Sequence, residues 1–206
     1  MAKSKSRRKS KSSPAAEAPE QKGASKQRII ILAVIAGIVG AGGWWWNENR
    51  KVESMFFEHV QQGGGTLDLV ERHADHGTSG HLSPGERVNY GTNTPTSGRH
   101  EGRPVSPGFY TSVKAPTMLV HSLEHGMVVV YYDRPSAADA MATLEDWSSL
   151  FGGPWSGIVV TRQPGLGDQL VLTAWRKSLT LERFDAPAAA AFIDAYRGRG
   201  PENPVR

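Results

Sequence analysis

The chain has 206 residues, no cysteine and a formal charge of +4 at pH 7. The missing thiols exclude a disulfide framework, a thiolate zinc site, an iron–sulfur cluster, covalent c-type haem and a cysteine nucleophile, so any metal must be held by nitrogen, oxygen or thioether. The basic charge is local: residues 1–28 hold nine Lys/Arg against Glu17 and Glu20, which leaves 15 basic and 18 acidic residues beyond them and gives the remainder no call for nucleic acid.

In chain order, residues 1–28 are Ser/Lys-rich and then Ala/Pro/Glu-rich, too poor in apolar side chains to fold, and are expected to be a disordered basic cytoplasmic tail. Residues 29–46 form an uncharged apolar run closed by Trp44, Trp45 and Trp46, long enough for a single transmembrane helix. Indole rings favour the membrane interface, and a lysine-rich flank favours the cytoplasmic side. No small-residue cleavage site precedes the tryptophans, so the segment is expected to stay as an anchor in a bacterial inner membrane, with the C-terminal domain periplasmic.

Residues 47–65 carry Val52, Met55, Phe56 and Val60 at helical spacing before a glycine triplet, a stalk helix and linker. The stretch from Thr66 to Pro116 is rich in Gly, Pro, Ser, Thr and Asn, an unusually long connection of the kind that is functional when ordered. Regular pattern resumes after it. Met127–Tyr132, Trp155–Thr161 and Gln169–Trp175 read as strands, and Ser136–Leu150 and Pro187–Arg197 read as helices. The expected fold class is α+β, a small mainly antiparallel sheet with helices on one face, forming an exported histidine-rich domain over residues 66–200 with a tail at 201–206.

Six of the seven histidines lie between His73 and His125. His100 ends a TNTPTSGRH run in which Pro95 and Gly98 stiffen the turn, and His121 and His125 stand four apart, so that one turn of helix puts both on one face. A histidine desolvated beside a buried strand needs a hydrogen-bond partner or a metal, and imidazoles suit zinc, copper, nickel and iron. The plainer alternative is that these rings bond backbone carbonyls and only fix the loop. Glu124 either orients an imidazole through its second nitrogen or lies on the surface. Met118 and Met127 flank the pair as thioethers for Cu(I) or, more ordinarily, as core filler.

His121, Glu124 and His125 also spell H-x-x-E-H, a zinc-hydrolase signature in which glutamate acts as general base. That motif needs a sustained helix and a further acidic ligand, whereas Gly126 and the β-branched run behind it end any helix at His125. Trp147, Trp155 and Trp175 read as core.

The runs NTPTSGRH at 93–100, GFY at 108–110, LVHSLEHGMVVVYY at 119–132 and TAW at 173–175 together resemble a bacterial domain-of-unknown-function family, family 3105. The likeness covers roughly residues 75–200, with Thr94-Pro95 where many members carry a double proline. It supplies no activity. It implies that His100, His121, Glu124 and His125 form the functional centre, with His81 or His76 as the further histidine upstream of Tyr90, His81 preferred, in a single-span membrane protein. The expected function is binding of a copper or zinc ion through His81, His100, His121, Glu124 and His125, without catalysis. The alternatives are an accessory or assembly subunit of a membrane protein complex with structural histidines, and a zinc-dependent hydrolase.

Overall fold

The computed structural model describes residues 22–75, 80–134 and 137–206, so the tail before residue 22 and His76 lie outside the described residues. Two units are distinguished, Met1–Trp45 and Trp46–Arg206. Helix α1 (Lys22–Gln62) begins inside the stretch expected to be a tail and continues without a break through the apolar run and the stalk. In the first unit the side chains of Ile29, Leu32, Ile35, Ile38 and Val39 are exposed. By length and composition this helix can cross a membrane from Ile29 onward.

In the second unit α1 ends at the glycines. Gly63 packs so closely on α4 (Ala186–Tyr196) that a Cβ there would sit 2.7 Å from the Ala191 methyl. A short 3₁₀ turn at Thr66–Leu69 leads to the two-residue strand β1 (Glu71–Arg72). Described residues 73–75 and 80–107 form no helix or strand apart from an isolated bridge, and β2 (Gly108–Tyr110), helix α2 (Pro116–Glu124) and β3 (Val128–Tyr132) follow. Helix α3 (Ala138–Leu150), strands β4 (Ile158–Arg162), β5 (Leu170–Ala174) and β6 (Lys177–Leu181), and α4 complete the order.

Among the described residues the strands form one six-stranded mixed sheet in the order β1-β6-β5-β3-β4-β2. The three pairs from β1 to β3 are antiparallel. The β3–β4 and β4–β2 pairs are parallel, because α3 carries the chain back across the sheet between β3 and β4. The fold is α+β, as the pattern of elements predicts.

Strand β3 is buried at all five positions, which explains its unbroken apolar sequence. Val128, Val130 and Tyr132 face one core, with Phe56 of α1, Leu144 and Trp147 of α3 and Phe192 of α4. Val129 and Tyr131 face a second core with Leu119 and Leu123 of α2. Helices therefore lie on one face as expected, except for α2, which the sequence suggested only as a turn and which covers the opposite face.

Strands β5 and β6 join through a two-residue loop, Trp175 and Arg176. Arg176 has a positive φ of 58°, unusual for a residue with a side chain. Three bonds hold it there: its amide donates to Thr96 O (2.9 Å), its Nε to His73 O (3.1 Å), and His73 N to its own carbonyl (3.0 Å). The hairpin is thus clamped to the loop that carries His100.

Candidate metal centre

Helix α2 builds half of the centre. Pro116 starts it at the first turn, where a missing N–H costs nothing, and Gly126 (φ 93°) stops it one residue after the capping His125. Leu119 and Leu123 bury one stripe against the sheet, so His121 and Glu124, three apart, present from the adjoining stripe. The H-x-x-E-H run forms the last turn of this helix, which stops at His125, so the hydrolase signature lacks the sustained helix it needs.

The loop over residues 98–105 is pinned to α2 by Ser122, whose Oγ accepts from Val105 N (2.9 Å) and donates to Val105 O (3.0 Å). This places the Glu101 carbonyl where His121 Nδ1 donates to it at 2.6 Å. His121 is thereby held in the tautomer that leaves Nε2 as a lone pair. Burial lowers its pKa below the usual histidine value; the Glu101 carbonyl opposes this, and the neighbouring His125, His100 and His81 add to it.

His100 is fixed in the same way from the other side. Gly98, at a φ of 115°, turns its carbonyl back to accept from His100 Nδ1 at 2.8 Å. The ring is wholly buried, and its Nε2 lies 2.9 Å from Glu124 Oε2 without an N–H directed along that line, so Nε2 has no hydrogen-bond partner among the described residues. With Nδ1 committed as a donor, this close approach is met either by a second proton on the ring, which makes an ion pair with Glu124, or by a cation held by both atoms.

His81 joins through an isolated parallel bridge to His100, in which Leu82 N donates to His100 O (2.7 Å) and His100 N to Gly80 O (3.2 Å). Its ring stacks on His121 with centroids 5.0 Å apart and stands edge-on to His100 at 5.3 Å. The loop behind it is braced by Arg99, which donates to His81 O (2.9 Å) and Glu86 (2.8 Å), and by Tyr90, which donates to Arg99 O (2.6 Å). Burial, and secondarily the charge of Glu101, pushes the Tyr90 hydroxyl up to about 12, so it remains a donor.

One nitrogen or oxygen from each of His81, His100, His121 and Glu124 lies within 4.8 Å of every other, and these groups could hold a metal ion. The set is three imidazoles and one carboxylate, donors that suit zinc in a four-coordinate site. Two of the three imidazoles donate Nδ1–H to a backbone carbonyl, the outer bond that metal-ligating histidines ordinarily make. Met127 is buried in the second core and Met118 packs against it, so both methionines fill space.

His125 stands apart from that foursome. Its Nε2 is 2.9 Å from His121 Nε2 and 3.1 Å from Glu202 Oε2, its ring stacks on Trp155 at 4.1 Å, and its Nδ1 is buried without a partner among the described residues. His121, His125 and Glu202 make a second group that could hold an ion. Glu202 lies in the stretch expected to be a bare tail. It arrives because Gly200 runs against the α2 end, backbone to backbone: a Cβ on Gly200 would overlap Glu124 O and Gly126 N, and Gly198 N donates to Gly126 O (2.7 Å). The pair of glycines around Arg199 is the only trace of this in the sequence.

Trp175 and Trp155, expected as core, border the centre; the Trp175 ring is edge-on to His100 at 6.5 Å. An open cleft of about 420 Å³, lined by Asp75, His81, Glu124, Trp175, Pro201 and Glu202, connects the centre to solvent. His73 bonds Ser178 Oγ (2.7 Å) and His59 packs edge-on to Trp147, outside both groups.

The family whose sequence model matches is described as protein of unknown function (DUF3105), and the match covers residues 81–206, which hold every member of both groups. No curated protein and no solved structure matches the chain.

Proposed function

The chain belongs to that family, whose description carries no activity, and from the geometry of the histidine cluster we propose that the protein is a membrane-anchored metal-binding domain. It takes one divalent transition-metal ion, zinc by preference, through His81, His100, His121 and Glu124. The carrying observation is the buried His100 Nε2, set 2.9 Å from Glu124 Oε2 and without a hydrogen-bond partner, on a ring whose other nitrogen is already committed. Such an arrangement is costly when left unpaired and favourable around a cation.

Zinc is favoured over Cu(I) because the donors are imidazole and carboxylate while both methionines sit in the core. Cu(II) shares the donor preference and binds such sets tightly, so copper is the metal to compete against zinc. Access through the cleft and the exposure of His81 suit an exchangeable ion, and hence metal handling or delivery over a closed structural site.

The apolar part of α1 is the anchor, and the nine basic residues against two acidic ones before it favour a cytoplasmic N-terminus with the domain on the extracytoplasmic side of a bacterial inner membrane.

The test is elemental analysis of the full chain purified in mild detergent, followed by titration with Zn²⁺ against a chelator of known affinity. One tightly held ion per chain, bound more weakly in His100→Ala and Glu124→Ala, supports the reading. A chain that retains neither zinc nor copper after loading with each would refute it.

A further inference from the structure

The second group shares His121 with the first, and that sharing has a chemical limit. His121 Nδ1 is committed to the Glu101 carbonyl at 2.6 Å, so a neutral His121 offers a single lone pair, on Nε2. One lone pair binds one ion. An ion held by His81, His100, His121 and Glu124 therefore excludes an ion held by His121, His125 and Glu202, although each group is close enough to chelate.

The two positions differ in depth. Relative side-chain exposure is 47% at Glu202, 14% at His125 and 15% at Glu124, and His81 is exposed, so what sets the inner position apart is the wholly buried His100. Glu202 of the outer group and His81 and Glu124 of the inner one line the same cleft, so an ion from solvent can pass between the two positions without leaving it, while His100 lies behind the cleft wall. The outer atoms are already spaced for an ion: two nitrogens on a zinc at 2.0–2.1 Å stand about 3.3 Å apart, and the present 2.9 and 3.1 Å separations need to open by only a few tenths.

The positions also differ in their supporting bonds. In the inner one, His100 and His121 both pass Nδ1–H to a carbonyl. In the outer one, a metal on His125 Nε2 moves the ring proton to Nδ1, which is buried and faces no acceptor among the described residues. Missing outer-shell partners of this kind lower metal affinity by about 10–100-fold, so the outer position is the weaker.

We propose that the centre holds one ion in two mutually exclusive positions, with His125 and Glu202 as the capture pair, His81, His100 and Glu124 as the retaining set, and His121 as the ligand common to both. Transfer inward is ligand exchange at a metal that never leaves His121: the Glu202 carboxylate and His125 Nε2 release it as Glu124 and His100 Nε2 bind it. His125, 14% exposed, recovers its proton from solvent. The proposal rests on the metal-binding reading above and adds a route and a stoichiometry to it.

The probe is Co²⁺, whose visible absorption reports tetrahedral nitrogen and oxygen ligands, mixed with the full chain in detergent in a stopped-flow instrument, with Zn²⁺ calorimetry for stoichiometry. The wild-type chain should bind one ion. Glu202→Gln, an exposed and structurally mild change, should leave the final affinity within a few-fold and slow loading by about tenfold, and His125→Ala should do the same. His100→Ala should retain one ion held about 10–100-fold more weakly, and His121→Ala should abolish the outer position and weaken the inner one. Two ions bound together by the wild-type chain, or unchanged loading rates in both Glu202→Gln and His125→Ala, overturn the shared-ligand route while leaving the metal-binding function intact. Absence of Co²⁺ and Zn²⁺ binding by the wild-type chain overturns the function itself, and with it this proposal.

Discussion

The two faces of the sheet are built on different principles. On one face, α3, α4 and the end of α1 deliver Phe56, Leu144, Trp147, Phe192 and Ile193 into an apolar core, with Phe56 edge-on to Trp147 at 5.2 Å and to Phe151 at 4.8 Å. On the other face a single short helix is supplemented by an irregular loop, and the loop buries His100, Thr96 and Ser97 where the first face buries hydrocarbon. Apolar burial needs no partner, whereas a buried imidazole does. The first face should therefore set the stability of the fold, and the second should make part of its stability conditional on a ligand.

The largest expected effect breaks the apolar face. Trp147→Ala removes an almost completely buried ring and should cost about 3–5 kcal/mol in chemical denaturation, by the same amount with or without zinc. A loss that depended on zinc would erase the distinction between the faces. On the polar face, zinc at 100 times its dissociation constant should stabilise the wild-type chain by about 2.7 kcal/mol, and that increment should fall to about 1.4 kcal/mol or less in His100→Ala. An undiminished increment in the variant would move the binding site elsewhere.

Gly200→Ala should cost about 1–3 kcal/mol, because its methyl would overlap the Glu124 carbonyl and the Gly126 amide where the chain packs backbone to backbone. It should also displace Glu202 and slow metal loading. A neutral outcome in both measurements would mean that the last residues are not held against α2.

The smallest effect is a pH dependence. His121 has its folded pKa lowered by burial, so the unfolded chain takes up a proton more readily. The stability it contributes is complete above about pH 6.5, the unperturbed histidine value, and declines as pH falls from there through the lowered folded value. Metal affinity should decline over the same window, since a protonated imidazole has no lone pair to give. His121→Asn should flatten the stability profile in that window.

The same contrast governs what the sequence reveals. Strands β3, β4 and β5 are legible because burial on both faces demands unbroken β-branched and aromatic residues, and α3 and α4 because one-sided burial spaces their apolar positions. The hairpin into β6 is hidden, since Trp175 and Arg176 make its turn without Gly, Asn or Pro and are stabilised from outside by Thr96 and His73. Helix α2 is hidden as well: PTMLV carries β-branched residues, and it is the packing of Leu119 and Leu123 on the sheet that selects the helix.

For the centre, spacing pointed to His100, His121, Glu124 and His125 because each stands next to turn residues or a strand where a polar side chain is out of place. His81 came only from resemblance, as an exposed loop histidine has no local signal. Glu202 has only the glycines at 198 and 200 as a trace, which do not name their partner. Its position follows from a glycine-to-glycine contact between residues 126 and 200, and such long-range pairings leave no periodicity to read.

The central claim concerns the donors, and zinc K-edge X-ray absorption on the zinc-loaded full chain measures them directly. The account predicts four nitrogen or oxygen ligands at about 2.0–2.1 Å, with the outer-shell scattering of three imidazoles, reduced to two in His100→Ala. A spectrum of six oxygen ligands without imidazole scattering, or one unchanged by removal of His100, would contradict it.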